Sequence, residues 1–180
     1  MFKKLSLLAI LSVGVFLLAW CGLSWSQNEA IDLVGSGNAK LALEDYQGAL
    51  QDYNKAIELD SIKSNAGLAM LYANRCIAKY YLKDNQGVIQ DCDKAIELDP
   101  SSSVAYTTRG LAKSALWNYE WAIQDYNKAI ELDPNSSWAY SNRGIVRIFL
   151  EKRKEGCDDL QKAVDLWLTE RTTEIKTYCK

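Results

Sequence analysis

One ten-residue segment, QDYNKAIELD, occurs at residues 51–60 and again, letter for letter, at 124–133, with QDCDKAIELD between them at 90–99. The second and third copies begin 34 residues apart and the first and second begin 39 apart, so the period is 34 with one insertion of five residues. A weaker fourth copy, CDDLQKAVDLW at 157–167, keeps the same frame. A fixed period of this length is typical of repeat proteins, and it predicts a row of similar structural units.

Each copy has the apolar spacing of an amphipathic helix, as Tyr126, Ala129 and Ile130 illustrate. Pro100 and Pro134 follow two of the copies, where proline prevents the helix from continuing. A second periodic run precedes each copy. The repeat is therefore predicted to be a helical hairpin, the fold class is all-α, and the roughly 150 residues after the N-terminal segment suffice for one domain.

The N-terminus has a different character, because the two lysines of MFKK precede the apolar run LSLLAILSVGVFLLAW. This layout is typical of a secretory signal, so residues 1–26 are predicted to be a signal peptide that is cleaved after Ser26. The alternative is an uncleaved membrane anchor over residues 5–25, which is just long enough to span a bilayer. Lipidation of Cys21 is the third interpretation, although Trp20 stands where lipoprotein signals have a small side chain. All three predict an exported, periplasmic or extracytoplasmic protein, and the last two attach it to a membrane.

The composition of the chain argues against several classes of function. Without residues 1–26, which hold two lysines and no acid, Lys plus Arg falls from 21 to 19 against 23 acids, so there is no electrostatic case for nucleic-acid binding. The chain has no histidine, the commonest general base and metal ligand. The GSG at 35–37 lacks the lysine of a phosphate loop. We expect neither catalysis nor a bound metal or cofactor.

Small residues recur at fixed positions of the period. The clearest repeat contains the segments AYTTRG at 105–110, NYEWAI at 118–123 and KAIELDP at 128–134, each with small residues at these positions. This pattern resembles the tetratricopeptide repeat of bacterial-type proteins with a signal sequence, although Trp117 stands where that family usually has glycine. The resemblance implies a right-handed superhelical solenoid of about four helix-turn-helix repeats, closed by a capping helix at 169–180. The predicted repeats, within 30–168, are 30–63, 69–102, 103–136 and 137–168.

The resemblance also implies a function. The family binds peptides or partner helices in a concave groove that is lined by the first helix of each repeat, so the chain is predicted to be an interaction scaffold or assembly factor outside the cytoplasm. A carboxylate clamp is disfavoured, because Val34, Val104 and Thr108 stand at its basic positions. The alternatives are a groove that binds a small molecule or acts like an enzyme, and a structural spacer on a membrane anchor. The predicted groove residues are Asn38, Asn74, Ile77, Tyr81, Thr107, Thr108, Leu111, Ser141, Asn142 and Ile145.

Charged residues keep the period as well. Arginine or lysine pairs recur one helical turn apart on the first helices of the last three repeats, and one aspartate recurs on every second helix. One interpretation is a basic stripe for an acidic ligand. The favoured one is repeat-by-repeat ion pairing. The residues are Arg75, Lys79, Arg109, Lys113, Arg143 and Arg147 against Asp52, Asp91, Asp125 and Asp159.

Two tryptophans and four cysteines complete the candidate residues. Trp117 and Trp121 either pack against a neighbouring repeat or form an exposed aromatic patch that docks a partner or a membrane. In an oxidising compartment, Cys157 and Cys179 are the predicted disulfide, which fastens the capping helix. Cys76 and Cys92 occupy core positions and are expected to be buried thiols.

Overall fold

The computed structural model describes residues 28–59, 61–166 and 179. The predicted signal or anchor segment and, apart from Cys179, the predicted capping helix lie outside these residues. Every regular element in the described part is a helix, and none of these helices is both long and apolar enough to cross a bilayer. The helices are α1 (28–42), α2 (Tyr46–Glu58), α3 (Asn65–Tyr81), α4 (Asn85–Leu98), α5 (Ser103–Ala115), α6 (Tyr119–Leu132), α7 (Ser137–Phe149) and α8 (Arg153–Asp165).

The chain forms two compact units, the N-terminal unit within Met1–Ser64 and the C-terminal unit within Asn65–Lys180. The C-terminal unit holds three helical hairpins, in which α3 packs on α4, α5 on α6 and α7 on α8. Part of the five-residue insertion lengthens a helix, because α3 has 17 residues where α5 and α7 have 13. The insertion therefore adds about one turn to the start of α3.

Short polar side chains set the helix starts. The carboxylates of Asp45 and Asp84 accept hydrogen bonds from the backbone amides of Gly48 and Gly87, each at 2.9 Å, at the starts of α2 and α4. Serine hydroxyls cap α5 and α7 in the same way. Because these side chains satisfy amides that have no partner inside the helix, they define where each helix begins.

Close helix packing explains the small residues of the period. A Cβ atom added to Gly110 would lie 2.6 Å from the ring of Tyr126, and one added to Gly156 would lie 2.7 Å from the carbonyl oxygen of Gly144. The recurrent alanines of the second helices are also buried. Larger side chains would force the helices apart. These alanines are Ala56, Ala95, Ala129 and Ala163.

Two equivalent tyrosines differ in one hydrogen bond. Tyr53 and Tyr126 are both fully buried, and the Tyr53 hydroxyl donates to Asn38 Oδ1 at 2.8 Å. The position of Asn38 is taken by Leu111 in the third repeat, and the Tyr126 hydroxyl has no hydrogen-bond partner within the described residues. Burial raises the pKa of both phenols, that of Tyr53 to about 12. Both rings therefore fill the core as neutral phenols.

Removing the two hydroxyls is expected to have opposite effects. Tyr126→Phe should raise the free energy of unfolding by about 1 kcal/mol, because it removes an unsatisfied buried polar group. Tyr53→Phe should lower it by about 1 kcal/mol, because it breaks a hydrogen bond and leaves the Asn38 acceptor without its donor. Urea unfolding of the three proteins, followed by circular dichroism, measures both. Equal effects of the two substitutions would contradict the assignment.

The second repeat replaces the glycine and tyrosine contact with a disulfide. Cys76 on α3 and Cys92 on α4 are bonded, and both are fully buried against Val88 and Ala112. The expectation of two buried thiols is therefore wrong. These cysteines lie at the positions of Gly110 and Tyr126, which touch in the third repeat, and side chains at touching positions are close enough to bond.

A second disulfide joins Cys157 on α8 to Cys179, across a separation of 22 residues. This is the pairing that the sequence favoured. A cross-link of this loop length restricts the unfolded chain and stabilises the fold by about 3 kcal/mol. The bond ties the C-terminal end of the chain to the last hairpin.

Candidate functional site

A cleft of about 360 Å³ opens on the first helices of the C-terminal unit. It contains five of the predicted groove residues, Ile77, Tyr81, Thr107, Thr108 and Leu111. The residues that line this α3–α5–α7 cleft are Ile77, Tyr80, Tyr81, Ser103, Val104, Thr107, Thr108, Leu111, Asp133, Ser136 and Trp138. Its volume falls in the range of sites that hold small ligands or the anchoring side chains of a peptide.

The surface of the cleft is mainly apolar and aromatic. Tyr81, Val104 and Trp138 are each about half exposed, at 50, 50 and 55%. Asp133 is the one charged side chain among the described residues that line it. A concave apolar surface with few polar groups is typical of a binding site.

Other predicted groove residues have different surroundings. Ser141 is fully buried, so its side chain does not reach a ligand in the cleft. The Asn142 side-chain amide donates to the backbone carbonyl of Trp138 at 2.8 Å. Asn38 belongs to the N-terminal unit, where it accepts from Tyr53. Asn74 and Ile145 are half-buried and lie outside the cleft lining.

Trp138 and Asp133 are among the cleft residues that the sequence did not predict. Trp138 lies 34 residues after Val104, so it occupies the same position in the next repeat, and both side chains line the cleft. That equivalence was a usable signal in the sequence. No sequence feature singles out Asp133. Asp99 occupies the same position in the preceding repeat and is also followed by proline, but it does not line the cleft.

The periodic charges form ion pairs inside each hairpin, which confirms the favoured interpretation. Asp125, only 5% exposed, accepts from Arg109 Nε and Nη2 at 3.0 and 2.6 Å and forms an ion pair with Lys113 Nζ at 2.8 Å. The exposed Asp93 on α4 also accepts from Arg109. Equivalent networks join Arg75 and Lys79 to Asp91, and Arg143 and Arg147 to Asp159.

One arginine of each of these three networks also contacts an aromatic ring. The Arg109 guanidinium lies 5.3 Å from the ring centroid of Tyr106, within the range of a cation–π contact. Burial alone lowers the pKa of Arg109, but its hydrogen bonds to Asp125 and Asp93 outweigh this and raise the pKa. These cations are therefore committed to structure and do not offer a basic stripe. The equivalent ring contacts are Arg75 with Tyr72 and Arg143 with Tyr140.

In the N-terminal unit the equivalent aspartate, Asp52, has fewer charged partners among the described residues. Asp52 accepts from Lys40 Nζ and from Ser36 Oγ, each at 2.6 Å. The hydrogen bond from Lys40, followed by that from Ser36, lowers the pKa of Asp52. Ser36 stands at the position of the arginines in the later repeats. The aspartate stays paired, although the bidentate partner is absent.

Trp117 and Trp121 are both exposed, at 78 and 60%. Trp117 has a backbone φ of 64°, in the left-handed region that favours glycine, and its ring meets the edge of Tyr119. The Tyr119 ring stacks on that of Phe149, which is also exposed. Three polar residues, Glu44, Lys83 and Glu151, adopt the same φ in the corresponding turns, so the backbone conformation belongs to the repeat. The exposed rings are available for contact, and their docking role stays a prediction.

Two family models of a helical repeat match parts of the chain. A family model described as TPR repeat matches residues 118–147, and one described as Tetratricopeptide repeat matches residues 33–63. No curated protein matches the chain.

Solved structures do match it. The first TPR of Spaghetti (RPAP3), bound to the HSP90 peptide SRMEEVD, is 30% identical, with a TM-score of 0.62 over 69% of this chain and 95% of that one. The second TPR domain of human RPAP3, in complex with the HSP70 peptide SGPTIEEVD, is 28% identical, with a TM-score of 0.60 over 68% and 98%. The Arabidopsis OM64 TPR domain is 28% identical, with a TM-score of 0.63 over 69% and 98%. With its repeats, its helical hairpins and these similarities, the chain belongs to the tetratricopeptide repeat family.

Proposed function

We propose that this chain is an exported interaction protein, a scaffold or assembly factor, that binds a peptide or a partner helix in the α3–α5–α7 cleft. The observation that carries the proposal is the cleft itself, an apolar concave surface on the first helices of successive repeats. Two related TPR domains bind short peptides, which supports the same use of the fold here. The proposed role requires binding and no catalysis.

Two features support a location outside the cytoplasm, in the periplasm or an equivalent compartment. The chain begins with a basic segment followed by a long apolar run, as secretory signals do. The C-terminal unit contains two disulfides, and such bonds persist in oxidising compartments. N-terminal sequencing of the exported protein distinguishes cleavage after Ser26 from a retained anchor, and finding the full chain in the cytoplasm would contradict the proposal.

The nature of the cleft favours a peptide over a small-molecule substrate. Enzymes and polar-ligand sites bring several charged groups together, whereas the described residues of this cleft include one, Asp133. A spacer without partners has no need for a half-exposed tryptophan on a concave surface, because exposed aromatic side chains are typical of interfaces. Trp117 and Trp121 are a second candidate surface for the same partner.

Selection of a phage-displayed peptide library against the full chain tests the proposal. Bound peptides should lose about tenfold in affinity with Leu111→Ala, because that substitution removes an apolar contact inside the cleft. Leu116→Ala is the matched control, since Leu116 ends the same helix and does not line the cleft. Equal losses with both variants, or no selected peptide, would contradict binding in the cleft.

A further inference from the structure

We infer that the α3–α5–α7 cleft selects a partner segment in which a lysine or arginine lies beside an apolar side chain, and that it rejects acidic segments. The inference rests on the proposed function, because it assigns the chemistry of a ligand to the same cleft. It concerns charge selectivity, and three observations on the C-terminal unit support it.

The first observation is a fixed carboxylate. Asp133 ends α6, and its backbone amide donates to the carbonyl oxygen of Ala129 at 2.8 Å. Its side-chain Oδ1 accepts from the backbone amide of Asn135 at 3.0 Å, which orients the carboxylate. A carboxylate held in place attracts a cationic side chain without losing much conformational entropy on binding.

The second observation is the aromatic lining of the same cleft. Tyr81 and Trp138 line the cleft, as does Tyr80, whose ring already lies 5.5 Å from Lys83 Nζ. Aromatic faces attract cations, and they also cover the apolar stem of a lysine or arginine. The combination suits a long basic side chain, while Ile77 and Leu111 offer contact to an apolar neighbour.

The third observation is that the cations of α3, α5 and α7 are already bound. None of the described cleft-lining residues is lysine or arginine. The basic side chains of α3, α5 and α7 bind Asp91, Asp125 and Asp159 on the second helices. An acidic segment in the cleft would lose hydration and find no unpaired cation on these three helices, which costs binding free energy.

This selectivity is opposite in sign to the peptides of the related domains. The segments SRMEEVD and SGPTIEEVD, bound by the RPAP3 domains, both end in acidic residues. In the present chain the arginines of the cleft-forming helices are paired with aspartates, and the one charged residue among the described residues that line the cleft is Asp133. A difference in a few side chains is enough to reverse charge preference on a shared backbone.

Fluorescence anisotropy with four labelled peptides tests the inference on the full chain. The peptides share the sequence GSWLXXSG, amidated and acetylated, with XX as KK, RR, QQ or EE. KK and RR should bind about tenfold more tightly than QQ, and EE most weakly, with the preference shrinking as salt rises.

Asp133→Asn should bring the affinities for KK and QQ to about the same value while the chain stays folded. Asp99→Asn is the matched control, because Asp99 ends α4 with the same side-chain contact to a backbone amide and does not line the cleft. It should leave the preference unchanged.

The outcomes separate the inference from the proposed function. If Leu111→Ala weakens all four peptides but charge has no effect, or if Asp133→Asn leaves the preference intact, the charge assignment is overturned and cleft binding stands. If the peptides bind but Leu111→Ala has no effect, binding lies elsewhere and both fail. Absence of binding by all four peptides overturns the inference, and the library selection then decides the proposed function.

Discussion

Replacing Asp125 with alanine is expected to lower the free energy of unfolding by about 3 kcal/mol or more. The carboxylate of Asp125 accepts two hydrogen bonds from Arg109, forms an ion pair with Lys113 and is almost fully buried. Its removal leaves two cations at the junction of α5 and α6 without their shared anion, and uncompensated buried charge is among the most destabilising changes in proteins.

Chemical denaturation followed by circular dichroism measures this effect. Asp93→Ala is the matched control, because Asp93 binds the same arginine but is 54% exposed. An exposed pair contributes about 0 to 1 kcal/mol, so the control should change the midpoint little. Similar losses for the two variants would show that Asp125 acts as an ordinary surface charge.

The second large effect is expected from the disulfide between Cys76 and Cys92. The double variant Cys76→Ala with Cys92→Ala should lose about 3 kcal/mol, since the bond closes a short loop between α3 and α4. Unfolding under non-reducing conditions, with the bond between Cys157 and Cys179 intact, isolates this loss.

A second double variant tests whether the bond replaces a packing contact. Cys76→Gly with Cys92→Phe copies the glycine and aromatic pair of Gly110 and Tyr126. Phenylalanine is the better choice because Ile77, at the position of Asn38, offers no acceptor for a hydroxyl. This variant should be more stable than the double-alanine variant by about 1.5 kcal/mol or more, the value of burying a large apolar side chain. If both are equally unstable, the two contacts are not equivalent.

Much of the fold could be predicted because its determinants are local and repeated. The ion pairs of Arg109 and Asp125 were predictable in the same way, since matched opposite charges recur in every repeat of the C-terminal unit. Five groove residues lie in the cleft because the frame of the repeat places them on the first helices. The position in the repeat also predicted Ser141 and Asn38 as groove residues. The side chain of Ser141 is buried, and that of Asn38 accepts a hydrogen bond from Tyr53.

By itself, the sequence determined the helical hairpins and their charged pairs, because a period of 34, small residues at fixed positions and polar helix caps act through neighbouring residues and recur with each copy. Only the tertiary structure decided that Cys76 bonds to Cys92, that the Tyr126 hydroxyl has no partner among the described residues, and that Asp133 and Trp138 share a cleft. These features depend on which side chains from different helices meet in space, and a one-dimensional repeat pattern does not contain those distances.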